Sequence, residues 1–237
     1  ARAPIENTTI EGLHFAFSGG SRLGVTAGSP TEPTYAATAN PCGALQVNAG
    51  RRVTVTGTVF VHIGMDALLF DVCGRDLHIV GNGFGDVSRA AISLSQSTLV
   101  VDPQSKRRVL EANEHKFFDN VEIRSNYIRC TGVDDIGSAV VFSEFSRAVR
   151  VIHNDIAEVP TCAVRNGWRY FGWRHHVSDI EYAWNRTSCV GQAGMEDYAA
   201  LYIAGCDDGT ARVHHNYVDG AGIRDGNFGI YLDVFCK

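Results

Sequence analysis

Short apolar runs alternate with turns that contain asparagine along the second half of the chain. Each run has an apolar residue, two others, an asparagine, one other and then usually an apolar residue. The copies lie at residues 151–156, 182–187 and 213–218. Their asparagines, Asn154, Asn185 and Asn216, are 31 residues apart in both intervals. Second strand-like segments follow the copies at 163–165, 200–203 and 229–233. A fixed period of this size, with no helical pattern between copies, predicts a solenoid.

The same pattern extends upstream. It recurs at 79–84 and 123–128, with second strands at 91–94 and 139–142, and an earlier second strand at 67–71. The interval from Asn82 to Asn126 is 44 residues, which leaves room for a polar excursion with a short helix over 107–117. Residues 18–41 are rich in Gly, Ser, Thr and Pro and predict a long loop, which is usually functional or mobile.

Strands that recur once per turn of a solenoid and run in the same direction must pair in parallel. Each turn of the chain, which we call a coil, then contacts only its neighbours. The amide of an asparagine can bond the backbone of its turn, and stacked copies can form a ladder. We therefore expect Asn126, Asn154 and Asn216 to be structural rather than catalytic. The 237 residues predict one all-β domain, 1–237, of about seven coils.

Composition narrows the function classes. The net charge of −5 gives no electrostatic case for binding nucleic acid or an anionic membrane. No apolar run approaches the ~20 residues of a membrane span. The chain starts at Ala1 without a visible signal peptide, so we expect a processed or excised part of a longer chain. Because solenoids need capped ends, we expect missing sequence or partner chains to cover the terminal coils.

Seven cysteines are many for this length. Cys206 and Cys236 follow second strands in consecutive coils, and a strand spacing of ~4.8 Å permits a disulfide between them. Asn7 and Asn185 each begin a glycosylation triplet. These features together favour an extracellular or cell-surface protein. The alternative is an intracellular protein with reduced, buried thiols.

The coils resemble those of right-handed parallel β-helix proteins with pectin-lyase-like repeats. More narrowly, they are similar to bacterial β-helix proteins grouped with polysaccharide-degrading glycosidases. The segments that carry the resemblance are 60–64 with 67–68, 167–168, 196–202 and 229–233, and it extends over roughly residues 5–235. It implies a right-handed, single-stranded parallel β-helix and an action on polysaccharide. It also favours Asp197 and Asp233 as functional acids, since they begin and end the two best-matched segments.

Strand alternation assigns faces to the second strands. When Ala139, Ala163, Ala200 and Gly229 are aligned, the next residues, Val140, Val164, Leu201 and Ile230, should point inward. The predicted outward strip comprises Arg165, Tyr202, Tyr231 and Asp233, with Trp168 at its edge. Aromatic faces stack on sugar rings and charged groups bind hydroxyls or uronates, so the strip suits substrate binding. Equally, the tyrosines could pack under a loop while the acid caps a turn.

Acidic residues in the turns supply candidates for catalysis. Glu196 and Asp225 should lie on adjacent coils, and carboxylates ~5 Å apart suit a retaining glycosidase. The same acids could instead bind calcium or sit in solvent. Asp197 and Asp233, the pair implied by the resemblance, would be ~20 Å apart along an extended path. They would meet only if the turn before Ala200 folds back.

These observations predict an extracellular carbohydrate-active protein, with hydrolysis by paired carboxylates as the leading hypothesis. The main rival is a non-catalytic structural or adhesion coil in a surface assembly. A further alternative is a calcium-dependent lyase that uses Arg165 as its base. No zinc spacing, phosphate loop or nucleophile elbow is present, so calcium is the one cofactor that the sequence suggests.

Overall fold

A computed structural model describes residues 4–19, 42–95, 100–101, 108–109, 117–134, 138–143, 146–166, 177–192, 198–206, 210–221 and 227–233. All regular secondary structure in these residues is β-strand. The strands are β1 Ile5–Glu11, β2 His14–Ser18, β3 Gly43–Thr56, β4 Val59–Ile63, β5 Asp66–Val80, β6 Gly83–Val87, β7 Ile92–Ser95, β8 Val100–Val101, β9 Arg108–Val109, β10 Phe118–Arg124, β11 Tyr127–Thr131, β12 Val141–Ser143, β13 Ser146–Ile152, β14 Asp155–Val159, β15 Val164–Asn166, β16 Ser178–Ala183, β17 Arg186–Val190, β18 Tyr198–Ile203, β19 Ala211–His214, β20 Tyr217–Ala221 and β21 Asn227–Leu232. None of this part of the chain forms a helix suited in length and hydropathy to crossing a membrane.

The strands form two large parallel sheets. Seven of them make one sheet in the order β2-β4-β6-β11-β14-β17-β20. A twelve-stranded sheet follows the path β19-β16-β13-β10-β5-β7-β12-β15-β18-β21, with β3 pairing both β1 and β5. Inside each sheet a strand lies between the equivalent strands of the preceding and following repeats, as β13 lies between β10 and β16. The predicted all-β fold and parallel pairing are confirmed.

The polar excursion after β7 contains a pair of short strands where a helix was predicted. β8 and β9 form a separate antiparallel pair, in which Val101 lies opposite Arg108. The short helix expected over 107–117 is therefore wrong at Arg108 and Val109, where the backbone is extended. Cross-strand pairing with Val100 and Val101 keeps these two residues extended.

The asparagine ladder is present as predicted. In successive repeats the side-chain oxygen of one asparagine accepts hydrogen bonds from both the backbone N–H and the amide of the asparagine before it. These contacts are 3.0 and 2.9 Å from Asn126 to Asn154, and 3.0 Å each from Asn154 to Asn185. The ladder extends to Asn82 at one end and Asn216 at the other. Each of these bends is thus fixed by the bend of the neighbouring repeat.

The residue before each ladder asparagine lies in the left-handed region. Its φ is 56° at Ser125, 56° at His153, 53° at Trp184 and 53° at His215. A left-handed residue interrupts strand alternation, so its side chain faces outward while the following asparagine faces inward. A row of outward side chains therefore runs beside the ladder.

The interior is filled by apolar side chains in register. Phe15, Phe60 and Phe84 stack with ring centroids 4.9 and 5.0 Å apart, close to the ~4.8 Å between strands. Columns of valine, isoleucine and leucine from the larger sheet complete the core. Burial of these columns drives the stacking, and the ladder sets its register.

The second strands confirm most of the predicted alignment. Leu201 pairs with Val164 and with Ile230, as expected. The first strand is shifted by one residue, because Val141 rather than Val140 pairs with Val164. Residues 139–141 are all apolar and all buried, so no alternation in the sequence could fix their register.

Candidate functional site

The predicted row of Arg165, Tyr202 and Tyr231 exists. Arg165 pairs with Tyr202 and Tyr202 pairs with Tyr231 on consecutive strands β15, β18 and β21. The two tyrosine rings contact edge to face, with centroids 5.3 Å apart and planes at 90°. Parallel pairing of successive repeats has therefore brought these three side chains together.

The row is not the open strip that alternation predicted. Tyr202 is fully buried and Arg165 is 5% exposed. A second apolar cluster packs around Tyr202, formed by Ala139, Cys162, Tyr198, Ala199 and Ala204. Direct stacking of a sugar on Tyr202 is therefore wrong for this conformation. Burial likewise counts against Arg165 as the base of a lyase, because a base must reach its substrate.

Asp233 lies where this row meets solvent. The hydroxyl of Tyr202 donates a hydrogen bond to the Oδ2 atom of Asp233, and the Asp233 N–H donates to the carbonyl of Ile203 at 2.9 Å. Asp233 and Tyr231 are both half-buried, and Phe228 packs on Tyr231 with centroids 4.7 Å apart. A carboxylate oriented by a buried phenol, beside aromatic rings at a partly open edge, can bind a sugar hydroxyl or transfer a proton.

Several predicted site residues lie outside the described residues. They are Trp168, Glu196, Asp197, Asp225 and Cys236. The carboxylate pairs, the calcium site at Glu196 and Asp225, and the Cys206–Cys236 disulfide therefore stay predictions. Asp197 directly precedes β18, whereas Asp233 bonds the other end of that strand.

The two glycosylation predictions differ in outcome. Asn185 is 1% exposed, and its amide donates to the carbonyl of Val151 at 2.8 Å and to Asn216 at 3.0 Å. A glycan cannot be carried there in the folded chain, because the ladder uses the whole amide group. Asn7 is exposed, with its side-chain oxygen 2.5 Å from the Nε atom of Arg52, and glycosylation there stays a prediction.

A row of outward polar side chains lies on the seven-stranded sheet. His62 Nδ1 lies 2.6 Å from Asp86 Oδ2, and both side chains are exposed. Along the same sheet, the Cys130 thiol donates to Glu158 Oε2 at 2.9 Å. That hydrogen bond to a carboxylate, with a smaller contribution from burial, raises the pKa of Cys130. The thiol is thus less nucleophilic than an ordinary cysteine. Positive φ at each position turns these side chains outward.

Paired charges cover the outer face of the larger sheet. Arg147 binds Asp119 through two hydrogen bonds of 3.1 and 2.7 Å, and Arg75 approaches the same carboxylate at 3.4 Å. The hydrogen bond from Arg147 lowers the pKa of Asp119, against an opposing effect of burial. Arg150 similarly binds Glu122 at 2.8 Å. These side chains neutralise one another and suit a solvated face rather than a catalytic site.

An exposed aromatic stack lies beside the ladder. Trp184 is 46% exposed and is sandwiched between His153 and His215, with centroids 5.2 and 5.3 Å away and planes within 7° and 19°. His214 contacts Trp184 edge-on and approaches Glu181 at 3.1 Å. The sequence does mark these residues, since each directly precedes a ladder asparagine. Strand alternation alone does not predict that they face outward, because it assumes a regular extended backbone.

No protein family and no curated protein matches this chain. Among solved structures, a chain named "Glycoside hydrolase" is similar over 76% of this chain, with a TM-score of 0.58 and 17% sequence identity. The present chain spans 31% of the length of that one. At this identity the likeness concerns the fold alone, an all-β arrangement of parallel strands in sheets.

Proposed function

We propose that the chain is a right-handed, single-stranded parallel β-helix of about seven coils, belonging to a longer extracellular or cell-surface protein that acts on polysaccharide. One strand per repeat in the seven-stranded sheet supports the number of coils. The asparagine ladder supports the coiled path, because it repeats the same bend in five successive repeats. The resemblance to polysaccharide-degrading β-helix proteins and the fold of a chain named glycoside hydrolase support the substrate class.

The proposed reaction is hydrolysis of a glycosidic bond by two carboxylates, one as general acid and the other as nucleophile or base. Asp233 is one of them, and Asp197 or Glu196 is the other. This pairing requires the segment before β18 to fold back towards Asp233, because the extended length of β18 would otherwise hold the two carboxylates ~20 Å apart. The observation that carries this assignment is the contact between the buried Tyr202 hydroxyl and the half-exposed Asp233 carboxylate. A buried donor that holds one oxygen leaves the other oxygen of Asp233 to face a ligand.

A polysaccharide panel tests the proposal. The wild-type chain is compared with Asp233→Asn, Asp197→Asn and Glu196→Gln, and product sugars are measured as reducing ends. Loss of a general acid or base should reduce turnover about 10²–10⁴-fold. Asp86→Asn, which changes an exposed acid on the other sheet, serves as the matched control and should retain full activity. Equal turnover by wild type and Asp233→Asn would remove the proposed site.

A scaffold function is the second candidate, because apolar side chains of β21 are exposed. Phe228, Ile230 and Leu232 are 43%, 49% and 57% exposed, whereas their partners Ala199, Leu201 and Ile203 on β18 are buried. Further coils or another chain could cover this surface. A wild-type chain that shows no activity on the panel but self-associates, with association abolished by Leu232→Asp, would favour the scaffold.

A further inference from the structure

His214 and His215 bring two imidazole nitrogens together on the outside of the aromatic stack. Neighbouring residues of a strand normally point to opposite faces. The φ of 53° at His215 breaks that alternation, so both rings lie on the outer side. Their Nδ1 atoms are 2.8 Å apart, and the rings are nearly perpendicular, with planes at 86°.

Neighbouring side chains hold both rings in place. Glu181 Oε1 lies 3.1 Å from His214 Nε2, and the face of His215 stacks on Trp184. An Nε2–H that donates to Glu181 leaves a lone pair on His214 Nδ1. A carboxylate on the far nitrogen is the usual partner of a histidine that binds a metal, because it fixes the tautomer and the ring orientation.

We propose that His214 and His215 chelate a divalent transition metal through their Nδ1 atoms, with Cu(II) preferred over Zn(II). Two bonds of ~2.0–2.1 Å from nitrogens 2.8 Å apart enclose an angle of about 85–90° at the metal. That angle is the one required by square-planar or tetragonal Cu(II), and it is smaller than the tetrahedral angle that Zn(II) prefers. Metal binding requires both rings to turn about their χ2 torsions, which are soft in histidine, until the two lone pairs meet at one point.

The site is an open, two-nitrogen chelate. Within the described ranges, no group of three or more His, Cys, Asp and Glu side chains is arranged to hold a metal ion. Water or a ligand therefore completes the coordination. Without metal, the short Nδ1 contact needs one ring to donate its Nδ1–H as a hydrogen bond to the other. When a metal binds, that ring takes the tautomer with its hydrogen on Nε2, so both Nδ1 lone pairs face the metal.

Quenching of tryptophan fluorescence by added CuCl₂ tests the proposal, because Trp184 contacts both rings. Wild type should bind one Cu(II) at this site, with electron paramagnetic resonance showing coupling to two nitrogens. His214→Ala and His215→Asn should each weaken this binding at least tenfold. Asparagine is chosen at 215 because it tolerates the left-handed backbone.

Two matched control variants test whether Cu(II) binds at His214 and His215 rather than at other histidines. His153→Ala removes the imidazole on the other face of Trp184, and the double variant His175→Ala/His176→Ala removes the other adjacent histidine pair of the chain. Both should bind Cu(II) as wild type does, and all variants keep the seven cysteines. The proposal is overturned if His215→Asn binds Cu(II) as tightly as wild type, if a control loses the site, or if Zn(II) binds as tightly as Cu(II).

Discussion

Replacing Asn154 by alanine should strongly destabilise the fold, because this residue bonds to three segments of chain. Its amide donates to the carbonyls of Ile123 and Ile152 at 2.9 and 3.1 Å and to Asn185 Oδ1 at 3.0 Å. Its oxygen accepts from the backbone and side chain of Asn126 at 3.0 and 2.9 Å. The side chain is buried, so water cannot replace these contacts in place.

The size of the effect follows from the groups that lose partners. Asn154→Ala removes the acceptor of the Asn126 backbone N–H and the donor to the Ile123 carbonyl. An unsatisfied buried group costs ~1–3 kcal/mol, so two such groups imply a loss of roughly 2–6 kcal/mol. Urea unfolding monitored by circular dichroism should show a lower midpoint with an unchanged m-value.

An isosteric variant separates donor from acceptor effects. In Asn154→Asp the carboxylate faces the oxygens of Ile123, Ile152 and Asn185, which favour its protonated, donating form. The folded state should therefore raise the pKa of the new acid above the ~3.9 of the unfolded chain. Stability is then retained below about pH 4 and lost as the pH rises towards the folded pKa, by ~1.4 kcal/mol for each pH unit that separates the folded pKa from the unfolded pKa.

Asn216→Ala is the control, because Asn216 is half-exposed and water can solvate the groups it leaves. Its loss should cost less than that of Asn154. The role assigned to Asn154 is refuted if the two alanine variants unfold at the same urea midpoint, or if Asn154→Asp loses no more stability than wild type between pH 4 and pH 7.

Two further predictions concern a tight bend and a thiol. A Cβ atom at Gly191, where φ is 79°, would lie 2.2 Å from the Tyr198 ring, whereas one at Gly81, where φ is 68°, meets nothing within 4 Å. Gly81→Ala should therefore cost ~1–2 kcal/mol and Gly191→Ala a further ~1–3 kcal/mol in urea unfolding, and equal costs would contradict the contact. Since hydrogen bonding to Glu158 raises the pKa of Cys130, Glu158→Gln should speed alkylation of Cys130 several-fold at pH 8. Peptide-resolved mass spectrometry measures that rate, and an unchanged rate would mean that the hydrogen bond does not control reactivity.

The recurring asparagines carried most of the information about architecture. Their spacing predicted the parallel register of Tyr202 with Tyr231 and the ladder through Asn154, because both depend on one repeating bend. Alternation could assign a side of the strand, but it could not say whether that side is covered. For this reason Arg165 and Tyr202 were expected in solvent and are buried instead.

The exposed stack around Trp184 could not be predicted from strand alternation, for a different reason. It depends on left-handed backbone at His153, Trp184 and His215, and that conformation is rare for residues with a side chain. The hydrogen bonds of the following asparagine offset the cost of that conformation. A pattern search keyed to the position before each ladder asparagine would find such residues.

The asparagine bend has the same short form in the five repeats that carry it, although successive asparagines are separated by 44, 28, 31 and 31 residues. The repeats therefore differ in length only outside the asparagine bend. During evolution, insertions and deletions in the other connections could remodel the surface while the asparagine ladder stayed unchanged. A protein built in this way can acquire new ligands through changes in its loops, while the residues that determine its fold stay the same.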